Sequence, residues 1–141
     1  MILDGQAQFS AAQALTATAV STNVIDLKGD FNLGIGEPMS IVVSLDVASD
    51  FTTGDETYVV TLQTGSSATP TTVIATKEIV GANAAGSKFV IGVPADSSCE
   101  QYLRLNYTLA GTSPSVTVSA YLVQTKLVDN YVQYANNYTI S

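Results

Sequence analysis

Period-two alternation is the feature that most restricts what this chain can fold into. Ile41, Val43, Leu45 and Val47 alternate with Val42, Ser44 and Asp46, and Tyr58, Val60 and Leu62 alternate with Val59, Thr61 and Gln63. Phe89, Ile91 and Val93 repeat the pattern. So do Leu103, Leu105, Tyr107 and Leu109 against Arg104, Asn106 and Thr108, and Val116, Val118, Ala120 and Leu122 against Thr117, Ser119 and Tyr121. Successive side chains of a strand point to opposite faces, so each first-named set predicts one buried face. The β-branched residues suit such a pleated, half-buried surface.

Turn chemistry punctuates these runs. Gly34–Pro38, Thr53-Gly54-Asp55, Gly65-Ser66-Ser67, Gly81-Ala82-Asn83, Pro94-Ala95-Asp96 and Gly111–Pro114 recur at intervals too short for long helices. Two weaker strands are expected at Asn23–Leu27 and Val73–Val80. About eight strands in one domain predict an all-β chain, an antiparallel β-sandwich or jelly roll with N- and C-terminal arms. We place the sandwich domain at 1–126. Its N-terminal arm is 1–18, within which Gln6–Thr18 reads as a short helix or an extended arm. A Tyr/Asn-rich tail covers 127–141. There, Leu127, Tyr131, Tyr134 and Tyr138 are spaced by four, three and four, as along one face of a helix.

At 141 residues the chain is long enough to bury roughly 68% of its unfolded surface. Its charged fraction is 12%, against about 25% in typical soluble domains, and Thr and Ser take the vacant share. The net charge is −7, and Lys28, Lys77, Lys88, Arg104 and Lys126 are scattered rather than striped. That argues against phosphate neutralisation, hence against nucleic-acid partners, and against docking on an anionic membrane. No stretch approaches the ~20 apolar residues of a spanning helix. Met1-Ile2-Leu3-Asp4 lacks the basic start of a secretory signal.

Chemistry is sparse. Histidine is absent, which removes His-based triads, histidine metal sites and the commonest general base. Cys99 is single, so no intrachain disulfide is possible, and it reads as a small buried or half-buried residue rather than a nucleophile. Asp46, Asp50, Asp55 and Glu56 gather around one loop. Oxygen-rich loops suit calcium, but the spacing matches no EF-hand, and a solvated acidic loop is the expectation. Asn106-Tyr107-Thr108 and Asn137-Tyr138-Thr139 fit the N-glycosylation triplet, which arises readily by chance in a Thr-rich chain. A non-enzymatic protein without cofactor or metal is expected.

Four segments carry a resemblance: Phe9–Thr16 (FSAAQALT), Ser21–Leu27 (STNVIDL), Gly34–Pro38 (GIGEP) and Tyr102–Tyr107 (YLRLNY). In their order and spacing the chain resembles the small cement, or decoration, proteins of short-tailed bacteriophage capsids. The tail after Lys126 is longer than the family's pattern. The resemblance implies a jelly roll on the outer capsid surface of the virion, made in the host cytoplasm. It would bridge neighbouring copies of the phage major capsid protein and associate with itself, a homodimer being favoured and a trimer possible. Candidate contacts are Phe9, Leu15, Tyr131, Tyr134 and Tyr138, with a core position open for Phe9. A carbohydrate-binding sandwich and a self-assembling fibre subunit are the alternatives. Clustered exposed tyrosines would mark the first, and strand donation the second.

Overall fold

Where the sequence alternates, the chain is extended. A computed structural model describes residues 7–29, 31–32, 38–94 and 98–125. Its strands are β1 (Gln8–Leu15), β2 (Ala19–Val20), β3 (Ile25–Asp26), β4 (Phe31–Asn32), β5 (Met39–Val47) and β6 (Thr57–Gly65), then β7 (Thr72–Ile79), β8 (Lys88–Gly92), β9 (Ser98–Cys99), β10 (Tyr102–Ala110) and β11 (Val116–Gln124). One sheet has the order β1-β11-β5-β8. The other runs β2-β10-β6-β7, with β3 also on β10, and β4 and β9 form a small pair of their own.

The pairing is nested. β1 pairs with β11, β2 and β3 with β10, β5 with β8, and β6 with β7, all antiparallel. This is one long hairpin, rolled until β11 meets β5 and β10 meets β6. Rolling a hairpin into two sheets makes a jelly roll, so the expected all-β sandwich is the observed fold.

The core lies between the sheets. Phe9, Leu15, Ile41, Val43, Leu45, Ile91, Val118 and Ala120 face Tyr58, Val60, Leu62, Ile79, Leu103, Leu105 and Tyr107. Cys99 is also fully buried. Among the alternating sets one expectation fails: Val47 is 57% exposed. The β5–β11 register skips Asp46 between Leu45↔Val118 and Val47↔Thr117, and that bulge turns Val47 outward.

The expected N-terminal arm is largely part of the domain. β1 occupies residues 8–15 and is an edge strand of the four-stranded sheet. Two register shifts between Gln8 and Gln13 break its alternation, and Ala12 sits there at φ 46°.

Hydroxyl and amide side chains close the roll where backbone ladders end. Ser21 sits between β2 and β3: its N–H donates to the Leu105 carbonyl (2.8 Å), and its Oγ accepts from the Leu105 N–H (3.1 Å). β2, Ser21 and β3 thus act as one kinked edge along β10. Gln13 ties the two sheets together on this side, donating from Nε2 to the Val20 carbonyl (2.8 Å) and accepting at Oε1 from the Thr22 N–H (3.1 Å). Satisfying backbone groups in this way is a structural use for a surface rich in Thr, Ser, Gln and Asn rather than charge.

Candidate interaction surface

Phe9 and Leu15 are 0% and 2% exposed. Both belong to the core, so neither offers side-chain surface to a partner: Phe9 takes the core position that was left open for it, and Leu15 is corrected as a contact candidate. The reason is the incorporation of β1 into a sheet, which turns these two residues inward. Tyr131, Tyr134 and Tyr138 lie outside the described residues, as do Gly34–Glu37.

Two buried tyrosines are structural. The Ser10 hydroxyl donates to Gln13 Oε1 (2.8 Å), leaving the Tyr107 hydroxyl to donate to Ser10 Oγ (2.7 Å) across the core. Burial holds the Tyr107 phenol well above its ordinary range, with only Ser10 opposing. Tyr58 donates to the Asp50 carbonyl (2.6 Å) and accepts from the Ser115 N–H (3.2 Å), which fastens the Asp50 loop to the start of β11.

The acidic loop is divided among separate partners. Glu56, 2% exposed, accepts from the backbone N–H groups of Thr53 (3.1 Å) and Gly54 (2.9 Å) and from the Thr53 hydroxyl. Asp55 accepts from the Thr112 N–H (3.1 Å), the Thr112 hydroxyl (2.9 Å) and the Thr53 hydroxyl (2.9 Å). Asp50 is bound by the N–H and hydroxyl of Thr52, and Asp46 by the Ser119 hydroxyl (2.6 Å). Among the described residues no three His, Cys, Asp or Glu side chains converge where they could hold a metal ion. Hydrogen bonds to the charged form depress both carboxyls: from the Thr53 hydroxyl first at Glu56, and from the Thr112 N–H first at Asp55. Gly111 lets the neighbouring turn come this close, since a Cβ there would lie 2.5 Å from the Asp55 carbonyl oxygen, at φ +100°.

The two outer faces differ. That of the five-stranded sheet is mainly polar: Tyr102, Arg104, Asn106 and Thr108 on β10 stand beside Thr61 and Gln63 on β6 and Thr76 and Glu78 on β7, with Val20, Val59 and Val73 set singly among them. Arg104 Nε donates to Gln63 Oε1 at 3.0 Å. On the four-stranded sheet, by contrast, the register sets Val90, Val42, Tyr121 and Gln8 side by side in one row, with Gly92, Ser40 and Val123 in the next. Val42 and Val123 point outward yet are only 6% and 7% exposed, while Val90 is 42% exposed. The run Ile41-Val42-Val43 is the sequence signal for this second apolar face, because it departs from strict alternation.

No curated protein matches the chain. The family model described as Bbp16 matches residues 9–122, from β1 into β11 and through every strand of the roll. On that match, which covers most of its length, the chain belongs to the Bbp16 family.

Proposed function

We propose that the protein is a bacteriophage capsid cement protein. It binds the outside of the shell and bridges neighbouring major capsid proteins, acting through its surfaces and carrying out no reaction. The observation behind this reading is where the resembling segments lie. Phe9–Thr16 supplies β1, Ser21–Leu27 contains Ser21 and β3, and Tyr102–Tyr107 opens β10. These three meet in space: Ser10 bonds Tyr107, Ser21 bonds Leu105, and Ile25 pairs with Leu103. A resemblance scattered along the sequence thus coincides with one packed seam of the roll.

A protein that binds the assembled shell and not its separated parts stabilises it by mass action. Repetition over a closed particle multiplies weak contacts, and each specific contact should bury at least ~1,000 Å² in total. The sugar-binding alternative calls for clustered exposed tyrosines on the sandwich. Among the described residues Tyr58 and Tyr107 are buried, while Tyr102 and Tyr121 stand half-buried on opposite outer faces. That arrangement weighs against it.

Mixing the purified protein with undecorated phage shells and sedimenting them tests the proposal. Saturable co-sedimentation, with raised heat tolerance of the loaded shells, is the expected result. Protein that stays in the supernatant across salt and pH would overturn it.

A further inference from the structure

The outward face of the four-stranded sheet lies where the chain leaves the roll. β11 ends at Gln124, and the alternation along it sets Thr125 on the same side as Tyr121 and Val123. Thr125 is fastened there twice. Its N–H donates to the Pro38 carbonyl (2.8 Å), and its hydroxyl shares a hydrogen bond with that of Ser40 (2.7 Å), a residue of this face. Leu127 follows two residues later.

Of the apolar residues on this face Val90 is the open one, at 42% exposed, while Val42 and Val123 keep 6% and 7%. The central row of the face joins Val90 and Val42 to Tyr121. The next row is lowered by Gly92 and Ser40, and a Cβ added at Gly92 would meet nothing within 4 Å. The row on the other side of Val42 and Val90 holds Lys88, Ser44 and Ser119, so a charge borders the apolar row at Lys88, with Asp46 further along β5. The sequence that follows Thr125 is complementary, with an apolar and aromatic stripe at Leu127, Tyr131, Tyr134 and Tyr138. At ~1.5 Å per residue a helix from Leu127 to Tyr138 would extend about 18 Å. The face spans three strands at ~4.8 Å and about five residues at ~3.3 Å, so the two are of similar size.

We propose that residues 127–141 of the same chain dock on the outer face of the four-stranded sheet, with the tyrosine stripe against Val42, Val90, Tyr121 and Val123. The chain's own tail is favoured over that of a second copy because its root is already held at Ser40. So short a connection sets an effective concentration in the millimolar range. This inference stands independently of the cement reading, since it concerns the isolated chain.

Limited chymotrypsin digestion of the full chain, with cut sites read by mass spectrometry, tests it. Cleavage after Tyr131 and Tyr134 should be slow in the parent and about tenfold faster in Val90→Asp, because proteolysis follows the population of the open form. Val90 is 42% exposed, so the substitution leaves the core intact, and an unchanged melting temperature checks this. Val20→Asp, at a 40% exposed position on the other sheet, should leave the rates unchanged. Protection should also be independent of protein concentration. Equal tail cleavage in parent and Val90→Asp would overturn the proposal, as would equal acceleration by Val20→Asp. Protection found only where sedimentation velocity detects an oligomer would assign the face to a second copy and overturn it too.

Discussion

Glu56 keeps almost no exposed surface and holds its charge with hydrogen bonds from Thr53 and Gly54 rather than with a basic partner. Because these bonds favour the ionised form, its folded carboxyl titrates below the ordinary value of 4.5. A depressed folded value means stabilisation that is complete above the ordinary value and lost as pH falls through the folded one. Glu56→Gln keeps the shape and removes the charge. The variant should therefore be less stable than the parent at pH 7, and the gap should close in acid. Urea midpoints at pH 7 and pH 3 measure this, and a gap of constant size would show that the charge is not what matters. The acids of this loop were legible in the sequence as a cluster. Their separate commitments to Thr52, Thr53, Thr112 and Ser119 were not, because two of these partners arrive from a turn and a strand more than fifty residues away.

Among the strands, β7 carries the clearest protection against unwanted pairing. It is the outer strand of its sheet, and Val73, 52% exposed, leaves it partly apolar at the surface. Two devices blunt it. Lys77 pairs with Val60, whose side chain is in the core, so a charge stands on the inward side of the edge. The register skips Ile74, a bulge that bends the strand and sends Ile74 onto the core. Inward charges and bulges are how natural sheets discourage edge-to-edge association. This counts against a fibre subunit that grows by strand addition. Lys77→Val should remove the main obstacle, and sedimentation velocity should then show higher oligomers that the parent lacks. An unchanged size distribution would mean that the bulge alone protects the edge. β7 was legible from its β-branched residues to within one residue. β1 was not: its Ala-rich centre and two register shifts erase the alternation by which a strand is read.

At the scale of the whole molecule, the nested hairpin makes the first strand wait for the last. β1 pairs with β11 through partners such as Gln8 and Tyr121, and the Gln8 side chain donates to the Tyr121 hydroxyl (2.9 Å) across 113 residues of chain. Loop closure must precede the contacts that compensate it, and folds rich in such non-local pairing fold slowly. Refolding by denaturant dilution, followed through tyrosine fluorescence, should fall in the millisecond-to-second range typical of all-β domains. Completion in microseconds would show that the native seam is not part of the rate-limiting step.

Sequence alone determined the strand content, the inward residues of β5 as far as Leu45 and those of β6, β8, β10 and β11, and a solvent surface built from hydroxyls, because period two and turn chemistry are local properties of the chain. For Cys99 it left burial and half-burial open, and the fold made it fully buried. Tertiary structure decided which strands became neighbours, that Phe9 and Leu15 turned inward, that Val47 turned outward, and that Val42 joined Tyr121 and Val123 on a second apolar face. Those outcomes depend on register and bulges between segments far apart in the chain, and a parity changed by one residue exchanges the core for solvent.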